Sequence, residues 1–232
     1  MEAIVLAGGL GTRLRGIVDD IPKPMAPVQG RPFVAFVLDQ LVEAGFETAI
    51  FAAGYRHEAI QSYFGADYRG LALRYSVERE PLGTGGAIRL ACEQAYARDV
   101  FVLNGDTYLE LDFRAMMEAH VRAASHLSMA ICHVPDVARY GALDIGDDLV
   151  HGFLEKGRSG PGWINGGTYV LGTELRARLP PQGAFSFEHD LLEPEVGSIR
   201  PLAFQSSGLF IDIGSPEDYA RIQQIFSQGS VQ

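Results

Sequence analysis

Residues 6–27 read Leu-Ala-Gly-Gly-Leu-Gly-Thr-Arg-Leu-Arg-Gly-Ile-Val-Asp-Asp-Ile-Pro-Lys-Pro-Met-Ala-Pro, and this stretch decides the fold. The apolar run that leads into it is a short buried-strand pattern, and it ends at glycines that let the backbone approach a ligand closely. Backbone N–H groups in such a loop can converge on phosphate oxygens. Arg13, Arg15 and Lys23 add positive charge, and the prolines on both sides of Lys23 keep its segment extended. The stretch therefore predicts a site for a polyphosphate.

The composition fits one ordinary α/β domain. A chain of 232 residues with 47% hydrophobic content can bury a full core, and no apolar run reaches the length of a membrane span. The net charge of −10 argues against a nucleic-acid surface, which needs a broad basic footprint. The first residues carry no basic leader pattern, so we expect a cytoplasmic protein. Cys92 and Cys132 lack metal-site spacing and are predicted to be inert core thiols.

Lysine is scarce in this chain. Of the 19 cationic residues, 17 are Arg, and only Lys23 and Lys156 are Lys. A lysine ammonium is a compact point charge that fits between phosphate groups where a planar guanidinium does not. Both lysines are therefore candidate phosphate ligands.

Strand and helix patterns alternate along the chain, which predicts parallel strands joined by right-handed crossovers. The predicted strands cover 3–6, 48–53, 71–77, 100–103, 127–134 and 209–213, and a predicted hairpin joins 141–145 to 149–155. The predicted helices cover 34–42, 57–64, 113–124 and 186–192, with Gly65 ending the second and Ser186 capping the last.

Two aspartates follow or end predicted strands. Asp106 comes directly after the strand 100–103, at the edge where open α/β sheets place ligands, and Asp212 lies near the end of the last strand. Carboxylate and phosphate oxygens are the ligands that Mg²⁺ prefers. Asp106 and Asp212 are therefore the predicted metal ligands, with Mg²⁺ as the cofactor.

These motifs resemble the sugar-phosphate nucleotidyltransferases, whose signature is a glycine-rich loop with Gly-Thr-Arg-Leu followed by Pro-Lys-Pro. Further matches in family order are the second glycine-rich loop at 78–87, Phe-Leu-Glu-Lys at 153–156, Trp-Ile-Asn-Gly-Gly-Thr-Tyr at 163–169 and the run 210–219. One departure is Gly157, which stands where proline commonly follows the lysine.

The resemblance implies a three-layer, Rossmann-like α/β fold with a mixed, mostly parallel sheet, of the nucleotide-diphospho-sugar transferase type. It implies one domain over 1–232, with a nucleotide-binding half over about 1–110, a sugar-phosphate half over about 111–226 and no C-terminal repeat domain. The implied reaction joins a nucleoside triphosphate to a sugar 1-phosphate and releases pyrophosphate. The implied partners are these two substrates, with no nucleic acid and no membrane, and a homodimer is left open.

The resemblance also assigns roles to individual residues. The catalytic residues are Arg13, Lys23 and Lys156, with Lys156 on the sugar phosphate. The nucleotide-binding residues are Leu6, Ala7, Gly8, Gly9, Gly11, Thr12, Glu78, Glu80, Gly83, Thr84 and Asn104. The sugar-binding residues are Gly141, Glu155, Asn165, Gly166 and Glu188, although a charge that favours a helix start explains Glu188 equally well.

Finer features of the sequence indicate which nucleotide base and which sugar are bound. A carboxylate accepts from both donors on the Watson–Crick edge of guanine, so Glu78, with Glu80 as the nearby alternative, favours GTP. Within the family the chain most resembles the D-glycero-α-D-manno-heptose 1-phosphate guanylyltransferases, which make GDP-heptose for bacterial surface polysaccharide. Mannose 1-phosphate guanylyltransferases, N-acetylmuramate 1-phosphate uridylyltransferases and a silent regulatory paralogue that binds a nucleotide sugar remain alternatives.

Overall fold

The predicted alternation of strands and helices is present in the computed structural model, which describes residues 1–9, 21–54, 56–154 and 157–227. The strands are β1 (Glu2–Leu6), β2 (Pro27–Val28), β3 (Arg31–Pro32), β4 (Thr48–Ala53), β5 (Asp67–Tyr68), β6 (Leu71–Val77), β7 (Val100–Asn104), β8 (Thr107–Leu109), β9 (Leu127–Val134), β10 (Leu143–Gly146), β11 (Leu149–Phe153), β12 (Gly162–Leu171), β13 (Leu202–Ser206) and β14 (Phe210–Asp212). The α-helices are α1 (Phe33–Glu43), α2 (His57–Phe64), α3 (Gly83–Cys92), α4 (Phe113–Arg122), α5 (Thr173–Arg178), α6 (Glu193–Ile199) and α7 (Pro216–Ser227). A π-helical turn at Phe187–Leu192 accompanies them. Lys23–Met25 form a 3₁₀ turn, so the predicted extended conformation around Lys23 is wrong; proline fixes φ at about −65°, a value that a 3₁₀ turn also uses.

One large sheet runs through both halves of the chain. Within the described ranges it has ten strands in the order β10-β11-β13-β9-β12-β7-β1-β4-β6-β5. Seven of these strands point the same way, while β5, β11 and β12 run opposite to them. The predicted mixed, mostly parallel sheet is therefore confirmed. The division into two halves near residue 110 stays a prediction.

Helices cover both faces of the sheet, because successive side chains of a buried strand point to opposite sides. In β1, Ala3 and Val5 belong to the core that includes residues of α1, α2, α4 and α7. Ile4, between them, belongs to a second core that includes residues of α3, α5 and α6. The predicted three-layer arrangement is confirmed.

The hairpin formed by β10 and β11 differs from its prediction at three strand ends. Its first strand ends at Gly146 rather than at residue 145, and its second ends at Phe153 rather than at residue 155. Its first strand begins at Leu143 rather than at residue 141. Gly141 has φ +83°, a left-handed conformation that an extended strand excludes. The turn falls at Asp147 and Asp148, whose φ angles of 51° and 57° are the positive values that a type I′ hairpin turn needs.

The segment 186–192 was expected to be an ordinary short helix with Ser186 as its cap. Ser186 Oγ does accept a hydrogen bond from the His189 N–H, at 3.2 Å. However, the segment is a π-helical turn that continues into α6. Pro194, which has no N–H to donate, stands at this junction as the second residue of α6. The tail 228–232 lies outside the described residues. Among those that are described, we find no helix with the length and apolar character needed to span a membrane.

The buried side chain of His120, on α4, makes the free energy of unfolding depend on pH. Its side chain is buried, with Nδ1 2.7 Å from Ser128 Oγ and Nε2 3.7 Å from Asp99 Oδ1. Burial lowers the pKa of His120 below its usual value, although Asp99 opposes this shift. The unfolded chain then binds a proton more readily than the folded chain, so the free energy of unfolding should fall as the pH drops below about 6.5.

We expect His120→Gln to lose this component of the pH dependence, as measured by urea unfolding between about pH 5 and pH 8. His151→Gln, at an exposed position on β11, is the matched control and should retain it. The same dependence of unfolding free energy on pH in wild type and His120→Gln would contradict the prediction.

Candidate active site

A cavity of about 500 Å³ opens at the carboxyl ends of β1 and β7. Parallel strands of the first half end at this edge, which is where open α/β sheets bind ligands. The predicted site residues that line the cavity are Leu6, Gly8, Gly9, Lys23, Glu78, Gly83, Thr84, Asn104 and Asp106. Ala7 is buried, and its N–H donates to the Ala52 carbonyl at 2.8 Å. The structure thus brings most of the predicted nucleotide residues to one cavity.

Close packing requires one glycine at this edge, Gly105, and a second glycine, Gly8, lies close to a side chain. A Cβ on Gly105 would lie 2.5 Å from the carbonyl oxygen of Leu6, at the junction between β7 and β1. A Cβ on Gly8 would lie 3.0 Å from Oε1 of Glu78. Any side chain at Gly105 would therefore push β7 away from β1, and one at Gly8 would crowd Glu78.

Lys23 lies between two carboxylates that come from distant parts of the chain. Its Nζ is 2.6 Å from Asp106 Oδ2 and 3.4 Å from Asp212 Oδ1. The lysine stands on the 3₁₀ turn held by its flanking prolines, Asp106 follows β7, and Asp212 ends β14, which pairs with β8. Lys23 and Asp106 line the cavity, whereas Asp212 is not part of that lining, and the Lys23 side chain is only 14% exposed.

The two aspartates fit a hard cation. Burial raises the pKa of Asp212; the Lys23 ammonium opposes this shift, and the negative charge of Asp106 adds to it. Both carboxylates reach a single ammonium, which shows that their oxygens converge on one positive charge. Within the described residues no third His, Cys, Asp or Glu joins them in a metal-binding group. Asp106 and Asp212 could therefore hold Mg²⁺ together with ligand or water oxygens.

The structure distinguishes the two candidate base-binding carboxylates. Glu78 is half-buried and lines the cavity, whereas Glu80 is exposed and is not part of that lining. Glu78 Oε2 accepts a hydrogen bond from the Leu82 N–H at 3.0 Å. Its other oxygen faces Gly54, where a Cβ would lie 2.4 Å from Oε1. Glu78 therefore supports the second glycine-rich loop as well as lining the cavity.

The second glycine-rich loop is clamped by Phe185, a residue that no sequence motif singles out. The Phe185 N–H donates to the Leu82 carbonyl at 2.9 Å, and its carbonyl accepts from the Gly85 N–H at 2.9 Å. A Cβ on Gly85 would lie 2.1 Å from the Phe185 ring, and Gly83 has φ +69°, so both glycines are needed. The contact joins residues about a hundred positions apart, and no local pattern encodes such a pairing.

Asn165 and Glu188, predicted to contact a sugar, lie together beside the buried Tyr169. Asn165 Nδ2 donates to Glu188 Oε1 at 2.9 Å and to the Tyr169 hydroxyl at 2.6 Å, and that hydroxyl donates to Glu188 Oε1. Gly166 is buried next to Asn165, and a Cβ there would lie 2.7 Å from a methyl carbon of Leu109. The sequence analysis missed Tyr169, although it stands in the quoted run 163–169.

Other predicted site residues are not tested by this geometry. Gly141 precedes β10 in its left-handed conformation and meets open space. Five residues lie outside the described ranges, and their roles stay predictions: Gly11, Thr12, Arg13, Glu155 and Lys156.

Comparison with known proteins places this site in a family. The family described as Nucleotidyl transferase matches residues 2–229. The chain is 42% identical to the D-glycero-alpha-D-manno-heptose 1-phosphate guanylyltransferase of Aneurinibacillus thermoaerophilus, over 97% of both chains. It is 40% identical to the protein of the same name from Campylobacter jejuni, over 94% of this chain and 97% of that one.

A solved structure gives the same assignment. HddC from Yersinia pseudotuberculosis superposes with a TM-score of 0.88 at 40% identity, over 97% of this chain and 99% of that chain. A more distant relative is the mannose-1-phosphate guanylyltransferase of Mycobacterium tuberculosis, at 30% identity over 95% of this chain and 63% of that protein. The chain described here belongs to the nucleotidyl transferase family.

Proposed function

We propose that this enzyme transfers GMP from GTP to D-glycero-α-D-manno-heptose 1-phosphate, giving GDP-heptose and pyrophosphate for bacterial surface polysaccharide. The observation that carries the reaction class is the cluster of Lys23, Asp106 and Asp212, in which Lys23 and Asp106 line the 500 Å³ cavity and Asp212 contacts Lys23. Support for the heptose comes from the two relatives of that name, which match over nearly their full length. HddC complexed with GMP-PN, at 40% identity, supports a guanine nucleotide.

The reaction needs no enzyme nucleophile, because the sugar phosphate carries an anionic oxygen that can attack the α-phosphorus in line. The barrier comes largely from bringing two anions together, so positioning and charge neutralisation supply most of the catalysis. Lys23, on its proline-flanked turn, provides an ammonium beside the cavity for the reacting phosphates. Mg²⁺, held by Asp106 and Asp212, supplies further positive charge to the phosphate oxygens. In the proposed mechanism Arg13 binds the triphosphate and Lys156 binds the phosphate of the sugar.

Three alternatives are distinguished by experiment. A mannose 1-phosphate guanylyltransferase is supported by the 30% identical relative, which is 63% covered by this chain. An N-acetylmuramate 1-phosphate uridylyltransferase would prefer UTP. A silent regulatory paralogue is disfavoured because it has no need of the Lys23, Asp106 and Asp212 cluster.

A panel of GTP, UTP, CTP and dTTP against heptose, mannose and N-acetylmuramate 1-phosphates, read by pyrophosphate release, tests the proposal. We expect the highest kcat/KM with GTP and the heptose 1-phosphate. Pyrophosphate release that favours another pair would select the corresponding alternative, and none with any pair would favour the regulator.

We propose that the reaction takes place in the cytoplasm, where GTP is available. The homodimer stays a prediction, and light scattering coupled to size-exclusion chromatography measures it.

Replacing either metal carboxylate by its amide should reduce turnover while leaving the fold intact. Asp106→Asn and Asp212→Asn keep the side-chain shape but remove the charge that Mg²⁺ needs, so we expect kcat to fall by about 100-fold or more. Thermal unfolding should remain cooperative in both variants. Near-normal turnover of either variant at limiting Mg²⁺ would show that the substituted residue is not a metal ligand.

A second prediction concerns the shape of the charged group at Lys23. Lys23→Arg should lower kcat/KM by about 100-fold although charge is retained, because a guanidinium cannot take the place of an ammonium 2.6 Å from Asp106 Oδ2. Lys156→Arg should also be poorly tolerated. Arg122→Lys, at an exposed position on α4, is the control and should be close to silent. If Lys23→Arg is as silent as Arg122→Lys, the point-charge role is wrong.

The base preference is tested at Glu78. Glu78→Ala should reduce kcat/KM for GTP by about tenfold, because buried base donors lose their acceptor. Because Glu78 also accepts from Leu82, this loss alone does not separate base reading from loop support. Glu78→Gln is the sharper variant, since an amide also donates and should narrow the preference for GTP over UTP.

Glu80→Gln is the matched control, because Glu80 is exposed nearby and does not line the cavity. An equal loss with GTP and UTP in Glu78→Gln would assign Glu78 to loop support only. A change of base preference in Glu80→Gln would show that Glu80 is the carboxylate that reads the base.

A further inference from the structure

Tyr169 lies at the centre of the predicted sugar side of the site but has no role in the proposed mechanism. Its side chain stands in the middle of the sheet and is 1% exposed. Five residues of β12, from Asn165 to Tyr169, lie opposite only three residues of β9, from Ile131 to Met129. This bulge contains Gly167 at φ +71°. It brings the amide of Asn165 and the hydroxyl of Tyr169 within hydrogen-bond distance of each other.

The hydrogen bonds of these residues leave one oxygen of Glu188 available. Oε1 of Glu188 accepts from both the Tyr169 hydroxyl and Asn165 Nδ2. Oε2 accepts no hydrogen bond from any residue in the described part of the chain. Glu188 is half-buried, so this oxygen belongs to a carboxylate that a ligand can reach.

Asn165 belongs to the same network. Its Nδ2 lies 2.6 Å from the Tyr169 hydroxyl and 2.9 Å from Glu188 Oε1, and because these two oxygens contact each other, one amide hydrogen serves both. Its Oδ1 accepts from the Gly167 N–H at 2.9 Å. Asn165 therefore helps to hold Oε1 of Glu188.

We infer that Tyr169 is a positioning residue: it holds Glu188 so that Oε2 accepts a hydroxyl of the sugar 1-phosphate, and Asn165 assists by holding Oε1. The inference rests on the proposed function and deepens it, because it assigns the direct sugar contact to one oxygen of Glu188. Glu188 thus acts as an oriented acceptor rather than only as a favourable charge at a helix start.

The surroundings of Tyr169 keep this arrangement rigid. Burial raises the pKa of Tyr169 well above its usual value, and the charge of Glu188 adds to the shift, so the phenol stays protonated and can donate. Its ring packs edge-on against Phe187, with centroids 5.3 Å apart. The Phe187 N–H in turn donates to Thr84 Oγ1 at 2.8 Å, which ties the residue before Glu188 to the nucleotide loop. Glu188 is therefore fixed from two sides.

Tyr169→Phe tests the inference because it keeps the ring packing and removes only the hydroxyl. We expect the KM for the sugar 1-phosphate to rise by about tenfold while the KM for GTP stays unchanged. Direct binding of the sugar 1-phosphate, measured by calorimetry, should weaken by the same factor.

Tyr75→Phe is the matched control. Tyr75 lies on β6, in the opposite part of the sheet, and its hydroxyl donates to the carbonyl of Gly65 after α2, so its loss should lower stability without changing either KM. A general loss of stability from a missing tyrosine hydroxyl would appear in both variants, whereas a selective change in sugar KM would appear only in Tyr169→Phe.

A series of monodeoxy sugar 1-phosphates identifies the contacted hydroxyl. Wild type should discriminate against one deoxy analogue, and Tyr169→Phe should lose most of that discrimination because Oε2 is no longer held toward the missing hydroxyl. If Tyr169→Phe does not fold, Glu188→Asp is used instead. This variant keeps the charge but withdraws the carboxylate by one methylene. We again expect a higher KM for the sugar 1-phosphate and weaker discrimination among the deoxy analogues.

Several results would overturn the inference. One is an unchanged sugar KM in the variant, and another is an equal rise in the KM values for sugar and GTP. A third is a Tyr169→Phe variant that discriminates among the deoxy analogues as strongly as wild type does. If wild type releases no pyrophosphate with any sugar 1-phosphate, the proposed function fails and the inference falls with it. If wild type is active and Tyr169→Phe has the same sugar KM and the same discrimination as wild type, the inference fails and the proposed function stands.

Discussion

The ammonium of Lys23 lies between the carboxylates of Asp106 and Asp212, and this interaction joins three segments that are far apart in the chain. Two like charges held close together in a partly buried wall repel each other unless a positive charge lies between them. Lys23 supplies that charge, and burial still raises the pKa of Asp212. Every element that ends at this edge of the sheet must therefore be positioned accurately enough to keep the three groups together.

The parallel half of the sheet provides that accuracy. β1 pairs with β7 in register from Ala3 opposite Phe101 to Leu6 opposite Asn104, so the two site loops leave the sheet at the same level. Gly105 allows the backbone to pass against the Leu6 carbonyl, and its N–H donates to that carbonyl at 2.8 Å. The site is thus set by backbone pairing, and the side chains Lys23 and Asp106 are carried to it on short, constrained turns.

The segment 185–188 joins the second glycine-rich loop to the cluster of Asn165, Tyr169 and Glu188. Phe185 clamps the second glycine-rich loop by two backbone hydrogen bonds, and the Phe187 N–H donates to Thr84. Glu188 follows directly and is held by Tyr169 and Asn165. The loop and the cluster are therefore connected by a few residues of one segment.

Sequence by itself determined the parts of this protein that are local. Spacing within a few residues predicts the glycine-rich loop, the proline-flanked Lys23 and the strand that delivers Asp106. The alternation of strands and helices predicts parallel strands joined by crossovers, and the family resemblance implies the three layers. The family resemblance then placed Asn165 and Glu188 on the sugar side. Tertiary structure alone decided which groups meet: that Glu78 and not Glu80 lines the cavity, that Phe185 closes on the second loop, and that Tyr169 occupies one oxygen of Glu188. The physical reason is that backbone conformation and periodicity are encoded by neighbours in sequence, whereas hydrogen bonds between distant segments depend on strand register, and a shift of one residue would direct the same side chains to the opposite face.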